Sequence, residues 1–369
     1  MQLSSEDSLR INVLLANKPT AIRINESSMI LFGLMPDGDA QVKLNPNCRD
    51  EQYVKRVKEV LSSHISGSPG GYPIFIQRWT RMGQMRDDSL EQLLLLGETE
   101  AVVAVTCANG LTDEIARRAW WAMEDPENAR RMLGHEEVVT GEMGRVLANY
   151  LIEYLPFETE PEIMIESIRL VLQPGLTDIE VQQNLWKKGG RKSAYHVGFL
   201  LSVPNDLPIE SNEHHLFSLL KNDLELMVDS NPYANVILQL LSTKGQAFLH
   251  AFENILKKPS NQEVVNMALD AVRYYFADLR SDGDPDLTID ELKEEAESFI
   301  KTDNKAFNEI IALDDRLLIL MKSLRIMSGL GYGVLRPAFH NTTAIGSLMR
   351  KKLEPIFEPL REEIKILTS

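Results

Sequence analysis

The chain has two cysteines, Cys48 and Cys107, and a thiolate is a nucleophile whose reactivity is readily tuned by its surroundings. Cys48 stands in Asn45-Pro46-Asn47-Cys48-Arg49-Asp50, just ahead of a helix expected to begin near Asp50. The positive partial charge of a helix N-terminus and the full charge of Arg49 favour thiolate there, while Asp50 and Glu51 oppose it. Cys48 is therefore the candidate reactive thiol, one that could carry or sense sulfur. The competing reading is a capping or packing cysteine. Cys107 lies in the apolar run AVVAVTCA and is expected to be buried and inert, so alkylation is expected to reach Cys48 first.

Motifs that would hold a metal each lack a ligand. His135-Glu136-Glu137-Val138-Val139 starts like a zinc-binding HExxH, but Val139 occupies the place of the second histidine. Asp282-Gly283-Asp284-Pro285-Asp286 starts like a calcium loop, yet its sixth position is Leu287 and its twelfth is Lys293. The first loses the glycine turn and the second puts a cation where a bidentate carboxylate belongs. Thr288 and Glu291 read better as a capping box opening the next helix. His214 and His215 are adjacent, and neighbouring side chains on a helix diverge by about 100°; a partly exposed pair near a helix start is expected. The glycines at 329, 331 and 333, and SGSPGG around Gly67, match phosphate loops only in composition, because no strand precedes and no Lys-Ser/Thr follows. No zinc, calcium or cofactor is expected.

Two cationic clusters stand out. One is Arg78-Trp79-Thr80-Arg81 with Arg86, and the other is Trp186-Lys187-Lys188-Gly189-Gly190-Arg191-Lys192. Cations beside an aromatic ring can engage phosphate and stack on bases. The competing reading is a solvated rim paired with the chain's own carboxylates. Any anion or RNA contact is expected at these residues.

The remaining composition narrows the classes. With 54 acidic and 39 basic side chains the formal charge is -15, which repels nucleic-acid backbones over most of the surface. Two cysteines in 369 residues do not suggest a disulfide framework. The opening MQLSSEDSLR has neither a basic nor an apolar region of an export signal. Apolar runs such as 101–105 and 317–321 fall well short of the roughly 20 residues that cross a bilayer. A cytoplasmic location without membrane contact is expected, and the sequons at Asn25 and Asn341 then have no meaning.

The elements that must position these residues follow from periodicity. A short helix is expected over 6–17, capped by Ser4 or Ser5. Ile22 and Ile24, the run 29–34, and Ala40, Val42 and Leu44 read as strands, with Pro36-Asp37-Gly38 turning the last pair. A helix over 50–63 places Tyr53, Val57, Val60 and Leu61 on one face, and a further strand is expected near 74–79. From Asp88 the pattern is helical throughout. It is clearest at 141–155, where Met143, Val146, Leu147, Tyr150, Leu151, Tyr154 and Leu155 recur at helical steps. Trp120 and Trp121 are expected as core and half-core on one helix. Pro204-Asn205-Asp206-Leu207-Pro208 reads as a linker, followed by longer helices over 213–229, 232–257, 262–279, 289–300 and 305–328. The last segment of the chain, beyond 328, has Pro355 and Pro359 and should be kinked or broken there. The fold class is thus mainly α: a small α+β domain over 1–85, a domain of short helices over 86–205, and longer helices over 209–369. The helical array is irregular or solenoid-like.

Several whole segments carry a family likeness: SLRINVLLANKPTAIRINE, LNPNCRDEQYVKRVKEVL, GSPGGYPIFIQRWTRMGQMRDDSLEQLLLLGE, ARRAWWAMEDPENARRML, RLVLQPGLTD and RKSAYHVGFL. In these the chain resembles DsrS, a cytoplasmic accessory protein family encoded with the dissimilatory sulfite reductase system of sulfur-oxidising bacteria. The likeness spans most of residues 1–205 and includes no catalytic signature. It implies an accessory or regulatory role in sulfur oxidation and no reaction. A non-catalytic protein working through protein or RNA contacts is expected; the alternative is a sulfur-handling protein or enzyme using Cys48.

Overall fold

The computed structural model describes residues 3–66, 87–280, 284, 286–339 and 346–369. It is mainly helical, with a three-stranded antiparallel sheet near the N-terminus followed by an irregular helical array. The chain falls into two compact units: 1–156 with 173–176, and 157–172 with 177–369. Pro204–Pro208 therefore lies inside the second unit.

In the first unit, α1 spans Ser5–Ala16 and opens on Ser4, whose hydroxyl accepts from the Asp7 N–H at 3.1 Å. Strands β1 (Ala21–Asn25), β2 (Ile30–Met35) and β3 (Gly38–Lys43) pair in that order. Met35 faces Gly38 across the second hairpin, so Pro36 and Asp37 form the loop and Gly38, at φ +131, takes the backbone conformation that side chains resist. Helix α2 (Asp50–Ser66) packs Tyr53, Val57 and Leu61 against Ile11, Leu14, Ile22 and Leu31, with Val60 at the edge of that core. Each fully buried aliphatic side chain here contributes about 1.5–3 kcal/mol. Gly33 brings the sheet close under α1, since a Cβ there would lie 3.0 Å from Leu14 Cδ1. The strand expected near 74–79 lies outside the described residues.

Short helices complete this unit. Asp113, in the first turn of the helix Asp113–Ala122, accepts from the Glu142 and Met143 N–H groups at 3.1 and 3.0 Å. It thereby caps the helix Glu142–Tyr154. A Cβ on Gly141 would collide with the Asp113 carboxylate, so this capping depends on glycine. Val146, expected on the buried face of that helix, is exposed. The face that packs is lined by Met143, Gly144, Leu147, Ala148 and Leu151, because small residues permit a closer approach than the apolar pattern anticipates. Trp120 is buried edge-on to Tyr150, with ring centroids 4.7 Å apart. Trp121 is half-buried under the Arg23 guanidinium at 4.5 Å.

In the second unit the helix Ser193–Ser202 is buried along most of its length and packs against the helices Pro161–Val171, Ile179–Gly189, Thr243–Lys257 and Gln262–Tyr275. A Cβ on Gly198 would meet Ile168 Cγ2 at 2.6 Å, which marks where two of these helices touch. Several expected helices are divided. The stretch 232–257 breaks at Ser242, whose hydroxyl caps the helix Thr243–Lys257 by accepting from Gly245 N–H at 3.2 Å. The stretch 305–328 breaks around Asp314, which accepts from Arg316 N–H at 2.9 Å. The Thr288–Glu291 capping box forms as expected. The helix Gly346–Thr368, in contrast, runs unbroken through Pro355 and Pro359. Its stripe of Met349, Leu353, Phe357, Leu360, Ile364 and Leu367 is buried, and that burial outweighs the lost backbone bonds.

The histidine pair departs from expectation. The helix begins only at Phe217, so His214 and His215 lie in the preceding turn and their rings approach to 4.4 Å. His214 is buried and accepts from Leu216 N–H on Nδ1, while His215 is exposed. Burial, with some repulsion from His215 and Arg316, pushes His214 down to about 4. Among the described residues no single helix is long and apolar enough to cross a membrane. The helices Leu317–Met327 and Tyr332–Phe339 reach that composition only together, across a 64° bend.

Candidate functional site

The two thiols sit contrary to the expected order. Cys107 follows the last residue of the helix Thr99–Thr106 and is exposed, whereas Cys48 is partly buried against the N-terminal core. The apolar run misleads because the packed face of that helix is Ala101, Val102, Val105 and Thr106, and Cys107 lies beyond it at the C-cap. Alkylation of the native protein, followed by peptide mass spectrometry, is accordingly expected to label Cys107 several-fold faster than Cys48. Faster labelling of Cys48 would contradict this.

Of the cationic residues, Arg78, Trp79, Arg81 and Arg86 lie outside the described residues. The second cluster forms an elbow between two helices. The helix Ile179–Gly189 starts at Asp178, whose carboxylate accepts from Val181 N–H at 2.9 Å, and carries Lys187 and Lys188 in its last turn. Cations there are favoured by the negative end of the helix dipole. Trp186 is half-buried and already packed on its neighbours. It lies on His196 with centroids 4.1 Å apart and edge-on to Phe199 at 5.2 Å, while its carbonyl hydrogen-bonds His196 Nε2 at 3.0 Å. Gly189 allows that approach, since a Cβ there would fall 2.3 Å from the His196 ring. Burial lowers the His196 pKa, with the Trp186 carbonyl opposing, so the ring is a neutral packing element.

The tryptophan thus fixes the angle of the elbow and leaves the cations to face outward. Lys187, Lys188 and Arg191 are exposed and make no ion pair among the described residues. Lys192 is drawn inward, donating to the Glu158 carbonyl at 3.3 Å and lying 6.0 Å from the Tyr195 ring. The elbow can therefore attract carboxylate or phosphate, while Trp186 is held half-buried against His196 and Phe199.

A cleft of about 460 Å³ lies beneath the segment read from sequence as a linker, lined by Asn205, Glu210, Ser211, Asn212, Thr243 and Lys244. A recess of about 250 Å³ adjoins it at Asn205 and is walled by Leu200, Pro204, Tyr274 and Tyr275. Tyr275 donates to Asn205 Oδ1 at 2.8 Å, and burial pushes its phenol up to about 12, so it stays protonated. Ser211 Oγ lies 3.1 Å from His250 Nδ1. Among the described residues nothing hydrogen-bonds the other nitrogen of that ring, so the third member that orients a hydrolytic histidine is missing. No sequence signal marked this cleft, because its walls come from a loop and from a helix start some forty positions on. Among the described residues no group of three or more His, Cys, Asp or Glu side chains is placed to hold a metal ion. The chain matches no protein-family model, and no curated protein and no solved structure matches it.

Proposed function

We propose that this chain is a cytoplasmic accessory or regulatory protein of dissimilatory sulfur oxidation, working through non-covalent contact with an anionic partner. The observation that carries this reading is the elbow: Lys187, Lys188 and Arg191 stand exposed without a carboxylate partner among the described residues, in a chain with 54 acidic side chains. Unneutralised cations on an acidic protein attract acidic polypeptide or phosphate and leave the rest of the surface repulsive to it. The resemblance of most of residues 1–205 to the DsrS family suggests the sulfur-oxidation setting. An acidic protein segment is favoured over RNA as the partner, because the half-buried Trp186 ring is already packed on His196 and Phe199, which makes it a poorer platform for a base.

Changing Lys187, Lys188 and Arg191 together to Glu should weaken binding to a fluorescent poly-glutamate peptide by at least tenfold at low salt, read by anisotropy. If single-stranded RNA is the better ligand, the same change should lower the salt slope by about 2, at ~0.7 per phosphate contact. Unchanged affinity for both probes would refute the elbow as the docking point. Deleting the gene in the host should lower the amount or activity of dissimilatory sulfite reductase, and an unaltered level would refute the setting.

A further inference from the structure

From Val203 to His214 the chain runs without helix or strand. Its two ends are held: Asp206 N–H donates to the Val203 carbonyl at 3.0 Å, and His214 N–H donates to the Leu241 carbonyl at 2.9 Å. Between them, among the described residues, the N–H groups of Glu210, Ser211, Asn212 and Glu213 have no protein acceptor. No turn or bend interrupts this run. Straight main chain with unpaired donors is what an added strand recognises. The run also borders open space. Glu210, Ser211 and Asn212 form one wall of the cleft of about 460 Å³, and the start of the helix Thr243–Lys257 forms the other. Thr243 and Ala247 stand one turn apart on that helix, and the short side chain of Ala247 leaves the space free. The adjoining recess of about 250 Å³, between Leu200, Pro204 and the rings of Tyr274 and Tyr275, is apolar enough to take one large side chain.

Charge selects the occupant. Glu210 and Glu213 are exposed and make no ion pair among the described residues, while Lys244 is spent on Asp206 at 3.0 Å. The rim is therefore acidic, which attracts a basic segment and repels an acidic one. We propose that the run 210–213 docks an extended basic segment of a partner protein as an added strand. The partner's main chain pairs with the free N–H groups, a large apolar side chain enters the tyrosine-walled recess, and Lys or Arg beside it meets Glu210 and Glu213. This surface is independent of the cationic elbow, which selects the opposite charge.

The test titrates the full chain into a fluorescent peptide that alternates lysine with valine and carries one central phenylalanine. Anisotropy should show saturable binding, and hydrogen exchange read by mass spectrometry should slow at 210–213 but not at 187–191. No saturable binding, or unchanged exchange at 210–213, overturns the proposal. Two further peptides, N-methylated on every second residue in one phase or the other, keep the charge and side chains but lose the pairing donors of one edge. One of the two should bind about tenfold more weakly, the loss of one or two main-chain hydrogen bonds. Equal affinity of both would mean that charge alone holds the peptide, which overturns strand addition. Ala247→Leu, which fills the cleft, should also weaken binding several-fold, and unaltered affinity in that variant would place the peptide elsewhere. Should Ala247→Leu fail to fold, the exposed pair Glu210→Gln with Glu213→Gln decides the matter. It should weaken binding several-fold at low salt and less at high salt; parent-like affinity at low salt overturns the site.

Discussion

Replacing Glu295 by Ala is expected to cost about 3–5 kcal/mol, because it strands Arg325 and Arg280 in the interior without their shared carboxylate. The helix Ile289–Phe299 that bears Glu295 would lose its tie to the helix Leu317–Met327, which bears Arg325. Hydrogen exchange read by mass spectrometry should show lost protection in both helices, with the N-terminal sheet unchanged. Burial opposes ionisation of Glu295, but hydrogen bonds and charge from Arg325 and Arg280 win, and its carboxyl lies below the usual range. Its stabilising effect is then present above the ordinary glutamate pKa and fades as pH falls through the depressed one. Glu295→Gln keeps the shape and some of the hydrogen bonding, so it should cost less than Ala at neutral pH. Equal protection in parent and Glu295→Ala would show that the guanidiniums are satisfied by other means.

What could be read from the sequence was what is encoded locally. Ser4 and Thr288 announce helix starts through their own side chains, and the alternation through Ile22, Ile24, Ala40 and Val42 marks a sheet with one packed face. The failures occur where partners are distant. AVVAVTCA gives no hint that the helix ends one residue before Cys107, and the spacing of Val146 does not reveal that Gly144 and Ala148 take the close contact. The cations from Lys187 to Lys192 were visible as a charge cluster. The packing of Trp186 was not, because it is set by His196 and Phe199 on the next helix. Glu295 and Arg325 are thirty positions apart and Arg280 and Arg325 forty-five, and no periodicity connects such residues.

The same reasoning predicts a second large effect, in the first unit. Asp7 is fully buried in the first turn of α1. It accepts from Tyr53 Oη at 2.5 Å, from Asn45 N–H at 2.7 Å and from Asn45 Nδ2 at 3.3 Å, so one carboxylate joins α1, the segment after β3 and α2. Burial alone would raise its pKa, but the hydrogen bonds from Tyr53 and Asn45 outweigh that and hold it below 3.8. The Tyr53 phenol is pushed up by burial and by donating to Asp7, so it remains a donor. Hydrogen bonds to a charged group contribute about 1.5–3 kcal/mol each, and Asp7→Asn, which turns an amide N–H₂ toward one of these donors, should cost on the order of 3 kcal/mol at neutral pH. Tyr53→Phe should cost less, since Asn45 still satisfies the carboxylate. Because the folded pKa is the lower one, Asp7 contributes fully above the unfolded value near 4. That contribution is lost as pH falls through the folded value. Urea unfolding of parent and Asp7→Asn should therefore show a wide gap at neutral pH that narrows in strong acid, where both side chains are neutral. A gap of constant width from neutral pH into strong acid would mean that Asp7 holds the three segments by shape and not by charge.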